Sequence, residues 1–242
     1  LNTVSGTTII GSAGSQGTNL TTSIRGSTAG NVLILVNGIP VNDPSVITNY
    51  FDLNFFSADQ VERIEILKGG QSTLYGSDAV AGVINVITRK SKIPGTHGDI
   101  SVTGGSYGTF RANAGLRQNS KRSVLSLDYG YETSQGFSSA YDSTGKGGFD
   151  KDRFRQHNLT GSWQASITDK LQSTLFGQYS RYTAGIDAGP FSDQKDYNVT
   201  TDNFQGGTGL TYQIPKGAIH FNYRYNLVKR LYLDDSIYRQ QY

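Results

Sequence analysis

Residues 61–88 read VERIEILKGGQSTLYGSDAVAGVINVIT and hold the most informative pattern in the chain. Apolar residues up to Leu67 are interspersed with charged ones, which is typical of a strand with one wet face. The glycine pair at 69–70 ends that strand, because glycine reaches backbone angles that other residues avoid. The pattern then predicts a short turn or helix over 72–79 and a β-branched strand over 82–88. On spacing alone, two such strands also fit an ordinary α+β domain.

The order of these residues resembles the end of the plug domain in TonB-dependent outer-membrane receptors. The resemblance extends upstream through Ile24-Arg25-Gly26 and through 31–38, NVLILVNG. The spacing from Ile24 to Asp196 is similar to that of vitamin B12 receptor-like members. The resemblance implies a plugged β-barrel in the outer membrane of a Gram-negative bacterium. Such a protein would bind a bulky nutrient, such as an iron siderophore or cobalamin, and import it with energy from the TonB complex of the inner membrane.

Composition excludes several other classes of protein. The chain has 242 residues, of which 36% are hydrophobic, and its longest strong apolar run is only Val32 to Val36. A membrane-spanning helix needs about 20 apolar residues, whereas barrel strands alternate and average out. Cysteine is absent, which excludes disulfides and cysteine zinc sites. A net charge of +3 with scattered cations gives no support for a nucleic-acid partner.

The pattern changes near residue 92, which predicts a plug domain over 1–91 and barrel strands over 92–242. Beyond the change, apolar and polar residues alternate with period two, as in Ser123 to Glu132. Connections alternate between tight turns and long loops rich in Gly, Ser and Asp, the asymmetry of outer-membrane barrels. Seven strands are predicted, at 98–105, 109–118, 122–135, 153–166, 170–183, 200–213 and 217–232.

The predicted fold is therefore an α/β plug domain followed by all-β antiparallel transmembrane barrel strands. The resembled family closes its barrel with about 22 strands around a plug, so the chain is expected to be a truncated part of such a barrel. We expect outer-membrane lipid to contact aromatic girdles formed by Tyr129, Tyr131, Trp163, Tyr179, Tyr223 and Tyr225. A soluble β-sandwich also alternates, so a secreted β-rich adhesion or carbohydrate-binding module is the alternative.

The resemblance assigns a plug–barrel role to two cations. Family plugs carry one arginine in an Ile-Arg-Gly motif and another in an Arg-Gly-Pro motif, both facing acidic residues of the barrel wall. Arg25 matches the first motif, and Lys68 replaces the second arginine, which keeps the charge but loses the planar fork. Both residues are expected on the plug surface, facing the wall. The alternative is that they only solubilise the plug.

Two sets of loop residues are candidates for binding. Residues 42–52 correspond to a plug loop that reaches outward, and their polar groups suit a substrate floor. The ligand-binding candidates in this loop are Asn42, Asp43, Ser45, Asn49 and Tyr50. In the barrel loops, Asp187, Asp193 and Asp196 are calcium candidates, because B12 receptors use loop aspartates for calcium and oxygen-rich loops can hold this ion. Solvated loop acids are the alternative, since no EF-hand pattern is present.

The sequence indicates no enzyme. Residues 104–108, GGSYG, match a nucleophile-elbow pattern, but they join two predicted strands where the elbow joins a strand to a helix. The three histidines are far apart in the sequence, and no HExxH or phosphate-loop motif occurs.

Overall fold

The computed structural model describes residues 1–12, 14–43, 45–90, 93–234 and 238–241. In it, a small plug packs against one face of a large antiparallel sheet. The plug contains six strands: β1 (Thr7–Ile10), β2 (Thr21–Ile24), β3 (Val32–Val36), β4 (Ile39–Pro40), β5 (Val61–Lys68) and β6 (Gly82–Thr88). It also has one short helix, α1 (Ser72–Tyr75), and 3-10 turns at Ala29–Asn31, Leu53–Phe55 and Ala58–Gln60. The strand, turn and strand predicted within 61–88 are thus confirmed.

Four plug strands form a mixed sheet in the order β4-β3-β6-β5. β3 pairs with β6 in parallel, and both are almost completely buried, which explains their continuous apolar runs. Phe51 and Phe55 extend this core toward the large sheet. The plug core is therefore continuous with apolar groups of the wall.

The large sheet, which we call the wall, has eight strands in sequential order. They are β7 (Gly95–Gly105), β8 (Thr109–Asn119), β9 (Ser123–Ser134), β10 (Phe154–Ser166), β11 (Leu171–Gly185), β12 (Asn198–Ile214), β13 (Gly217–Asp234) and β14 (Tyr238–Gln241). A 3-10 turn, Ser106–Gly108, joins β7 to β8. Each of the seven predicted strands is present, with ends within a few residues of the prediction. The count of seven was wrong, because β14 is too short for alternation to reveal it.

The two faces of the wall have opposite polarity. Polar side chains of β9 to β12, such as Asp128, Gln156, Gln178 and Asn203, are buried on the plug side. Leu159, Leu175, Phe204, Phe221 and Tyr223 lie on the opposite face and are exposed. This polarity is inverted relative to a soluble sheet, and it is typical of a wall with lipid outside and a polar lumen inside. All six predicted girdle aromatics have the outward register. None of the helices in the described ranges is long and apolar enough to cross a membrane.

Candidate functional site

Four neighbouring wall strands hold the plug through amide side chains, which we call the amide ladder. Gln156 of β10 donates to the carbonyl of Asn54, and Gln178 of β11 donates to the carbonyl of Phe55. On the next two strands, Gln205 donates to the Val41 carbonyl and Asn226 to the Asn42 carbonyl, each at 3.2 Å. Every second side chain of a strand points to the same face of the sheet. This alternation directs the four amide side chains toward the plug.

A buried ion pair lies at the end of this ladder near the long loops. Arg230 of β13 donates to Asp43 Oδ2 at 2.7 Å and to Ser45 Oγ at 3.2 Å. The Asp43 side chain is 0% exposed and that of Arg230 only 10%. Asp43 Oδ1 accepts from the Ser45 amide at 2.9 Å, so the carboxylate joins the loop to itself and to the wall.

Asp52 is a second buried plug carboxylate at the wall. It accepts hydrogen bonds from the Leu20 amide at 3.1 Å, the Asn54 amide at 3.0 Å and the Tyr182 hydroxyl at 3.2 Å. Burial raises its pKa to about 6, although these hydrogen bonds oppose the shift. Together, Asp43 and Asp52 fix both ends of the loop 43–52 to the wall.

The five ligand-binding candidates separate into buried and accessible groups. The side chain of Asn42 is used inside the plug, where it accepts from the Ile34 amide at 2.8 Å and donates to the Asn49 carbonyl at 2.8 Å. Asp43 is buried against Arg230 and is inaccessible to a ligand, so its prediction as a ligand contact is corrected to a loop-anchoring role. Ser45 is exposed, whereas Asn49 and Tyr50 are half-buried.

Arg25 and Lys68 lie on the plug beside its first residues. Arg25 is exposed with a left-handed backbone (φ 52°), and its amide donates to the Gly6 carbonyl at 2.8 Å. Lys68 donates to the Ser5 carbonyl. Within the described part of the chain, neither cation forms a salt bridge. Their pairing with acidic wall residues therefore stays a prediction.

The long barrel loops bring together a different set of aspartates from the predicted one. Carboxylate oxygens of Asp150, Asp187 and Asp193 lie within 4.8 Å of one another, whereas Asp196 is exposed and outside this group. Mutual proximity and burial raise the pKa of Asp150 to about 6, with burial the larger cause. The structure therefore groups Asp187 and Asp193 with Asp150 of the other loop, which is distant in sequence, and not with Asp196.

Asp187 also joins the two long loops without a metal. Its Oδ2 accepts from the Ala140 amide at 2.7 Å and from the Ser139 hydroxyl at 2.9 Å, and its Oδ1 accepts from the Gln194 amide at 2.8 Å. Asp150 Oδ1, in contrast, is buried without a hydrogen-bond partner among the described residues. Both carboxylate oxygens of Asp187 are thus already engaged in hydrogen bonds. The carboxylates of Asp150 and Asp193 therefore suit a cation better than that of Asp187.

Among the residues that the structure describes, plug and wall enclose two sizeable cavities. One of about 290 Å³ is lined by the glycine- and serine-rich segment 14–18 together with Arg111 and Glu132 near the long-loop end of the wall. Gln16 donates to Glu132 at 2.9 Å across this cavity. Sequence reasoning missed it, although the run of Gly and Ser in this segment was the available signal. The other cavity, of about 260 Å³, lies between Asn49 and Asp78 of the plug and Gln205 and Arg224 of the wall.

A small domain is hydrogen-bonded to the polar face of a large antiparallel sheet. This arrangement is that of a plugged β-barrel, which is the class of fold. Residues 1–83 match the family described as TonB-dependent Receptor Plug Domain. The vitamin B12 transporter BtuB of Vibrio vulnificus (strain CMCP6) is 28% identical over 206 residues, which are 84% of this chain and 32% of that protein. The chain thus spans about a third of the length of this relative.

Solved structures share the same fold. A variant of the ferric enterobactin receptor PfeA from Pseudomonas aeruginosa matches with a TM-score of 0.73 and 20% identity, covering 100% of this chain and 41% of the receptor. The siderophore receptor PirA from Acinetobacter baumannii matches with a TM-score of 0.71 and 21% identity, covering 94% and 36% of the two chains. These relatives are transporters and receptors rather than enzymes. Residues 1–83 thus match a TonB-dependent receptor plug domain, and the chain as a whole is similar to TonB-dependent receptors.

Proposed function

We propose that this chain forms the plug and part of the barrel wall of a 22-stranded outer-membrane receptor that imports a bulky nutrient with energy transmitted by TonB. The observation that carries the proposal is the loop 43–52, which is fixed against the long-loop half of the wall by Asp43 and Asp52. Its accessible residues, Ser45, Asn49 and Tyr50, are the proposed ligand contacts. The exposed apolar face of the wall is unsuited to a soluble adhesion or sugar-binding module.

The bonding between plug and wall supports transport. The amide ladder consists of neutral hydrogen bonds, each with a net contribution of about 0.5–1.5 kcal/mol, and water can replace such bonds. The cavity beside Asn49 and Gln205 lies next to this ladder and already separates plug from wall. Gln205 Oε1 is buried there without a hydrogen-bond partner in the described chain. A pull on the plug would therefore widen an existing polar gap, and it would also separate the apolar contacts that Phe51 and Phe55 make with the wall.

Binding and energy coupling are separable in one experiment. In the intact receptor, Tyr50→Ala is expected to weaken binding of the cognate ligand by about tenfold, because it removes an aromatic contact from the ligand floor. Arg25→Ala should leave binding within about twofold and lower uptake by about fivefold or more, because the described contacts of Arg25 are with Gly6 and not with the loop 43–52. Cyanocobalamin and ferric enterobactin are the probes, with surface binding and energised uptake measured on the same cells.

Lys146→Ala, in an exposed barrel loop, is the matched control and should change neither quantity. Wild-type binding of both probes without energised uptake would contradict transport. Normal binding by Tyr50→Ala, with the ligand identified, would move the site to the cavity lined by Arg111 and Glu132. Normal uptake by Arg25→Ala would leave that arginine with a solubilising role only.

The calcium site stays a prediction, with Asp150 in place of Asp196. We expect Asp150→Asn/Asp193→Asn to abolish any calcium dependence of ligand affinity, because carboxylates supply the charge that Ca²⁺ requires. Asp196→Asn should behave like wild type. The calcium dependence is measured by titrating ligand in about 1 mM CaCl₂ and again in EGTA. A calcium concentration of about 1 mM is high enough to fill sites with the weak affinity of extracellular calcium modules. Equal affinity in both buffers for the wild type would leave the aspartates as loop-joining groups.

A further inference from the structure

The outward face of the wall changes from apolar to charged at one register. On β12, outward residues from Phe204 to Ile214 include no charged side chain, and the same holds on β13 from Gly217 to Leu227. The next outward residues toward the long loops are His157, Arg181, Asp202 and Lys229, which are direct register partners across β10 to β13. The charge therefore begins at a defined edge of the apolar face.

The apolar band below this edge has the height of a membrane. Residues 204–214 span about 33 Å along the strand at about 3.3 Å per residue, and a tilt of about 40° reduces this to about 25 Å. That is the height of the lipid-facing band in outer-membrane barrels. With the wall placed in a membrane, as proposed above, the charged residues lie at the level of the outer-leaflet headgroups.

A basic cleft lies just beyond this edge, which we call the outer cleft. It has a volume of about 690 Å³ and contains Lys151, Arg153 and Arg155, with Thr133 and Thr183 beside them. No acidic residue lines the cleft among the residues that the structure describes. All three cations are exposed, and within the described ranges none of them forms an ion pair.

The cations cannot be explained by contact with the plug. Arg153 and Arg155 alternate with Phe154 and Gln156, which point inward to the plug, so the arginines point outward. Farther along the same face, Arg181 is offset by Asp202 at 3.8 Å, whereas Lys229 has no such partner among described side chains. The unneutralised positive charge is thus concentrated on the lipid-facing side, where anionic groups of the membrane surface meet it.

We propose that the outer cleft binds the phosphate groups of a phosphorylated glycolipid in the outer leaflet. Arginine side chains present planar donors that match phosphate oxygens in pairs, and the Lys151 ammonium supplies further donors. Trp163, Tyr179 and Phe204 on the same face offer an apolar surface for the acyl chains directly below. This proposal rests on the proposed outer-membrane placement, but it requires neither a nutrient ligand nor TonB.

Lipid binding to the purified, delipidated receptor tests the cleft. The probes are bisphosphorylated lipid A, the same lipid with its phosphates removed, and inorganic phosphate, with affinities measured by native mass spectrometry in detergent. Arg153→Glu/Arg155→Glu is expected to weaken binding of bisphosphorylated lipid A by about tenfold or more. The dephosphorylated lipid should bind wild type and variant with the same low affinity. Inorganic phosphate in excess should not displace the lipid.

The matched control is Lys121→Glu/Lys216→Glu, which makes the same change of charge in tight turns at the opposite end of the wall. It should retain affinity within about twofold. An equal loss in both variants, or equal binding by wild type and the cleft variant, would overturn the proposal. Displacement by inorganic phosphate would assign the cleft to a soluble anion instead. If the charge-reversed protein misfolds, Arg153→Gln/Arg155→Gln takes its place in the test, after its melting temperature has been found unchanged. Uptake is measured separately. A failure of uptake would contradict the proposed transport and leave the lipid result standing, whereas a failure of lipid binding would leave the proposed transport standing.

Discussion

Arg230→Met is expected to lower the free energy of unfolding of the plug by about 3–5 kcal/mol, because it leaves the buried Asp43 carboxylate without its cation. Asp43 is 0% exposed and lies 2.7 Å from the Arg230 guanidinium. Removing one partner of a buried ion pair costs more free energy than the pair itself contributes, because the remaining charge stays buried without a counter-ion. Hydrogen exchange of the amides in segment 45–52, together with calorimetry of the detergent-solubilised protein, measures the loss.

Two further variants make this result specific. Asp43→Asn/Arg230→Met removes both charges and should recover a large part of the stability. Arg63→Met breaks an exposed ion pair with Glu65, whose side chains are 55% and 43% exposed, and should cost no more than about 1 kcal/mol. If Arg230→Met were no more damaging than Arg63→Met, the pair would not anchor the ligand loop.

Gly30→Ala is expected to destabilise the plug by about 3 kcal/mol and to displace the segment 45–49, because its new methyl group would overlap backbone. A Cβ at Gly30 would lie 1.9 Å from the carbonyl oxygen of Thr48, which cannot move without moving the loop. We therefore also expect weaker ligand binding by the intact receptor. Thermal unfolding and a ligand titration on the same preparation measure the two effects.

Gly70→Ala is the matched control for this substitution. Its Cβ would come no closer than 3.6 Å to the carbonyl oxygen of Val80, which is ordinary van der Waals contact. Both variants reduce the conformational freedom of the unfolded chain equally, so their difference isolates the clash. Equal melting temperatures for the two variants would mean that the loop adapts at no cost and that Gly30 does not fix its position.

Local patterns predicted the elements well where the pattern had enough length. The strand at 61–68 and its glycine stop were predictable because apolar spacing and backbone freedom act between near neighbours. The period of two along β9 to β13 likewise predicted which side chains face the plug. A strand as short as β14 offers too few residues for such a pattern, and it escaped prediction.

Pairings across the molecule were predicted less well. The calcium candidates were chosen from one loop, but the third carboxylate, Asp150, comes from another. Asp43 was predicted to contact ligand because it lies in an outward loop, yet Arg230, far along the chain, buries it. The outer cleft was also not predicted, since Lys151, Arg153 and Arg155 carry no distinctive spacing.

The sequence by itself determined the class of fold, the approximate positions of the seven longer wall strands and the polarity of the two faces of the wall. These properties follow from residue order and from a repeat of two, which operate within a few residues. Only the tertiary structure decided that Gln156, Gln178, Gln205 and Asn226 hold the plug, that Asp43 is an anchor and that three cations share one cleft of the wall. Each of these depends on contacts between residues many positions apart, because packing of the plug inside the wall sets which groups lose water and which partners they meet.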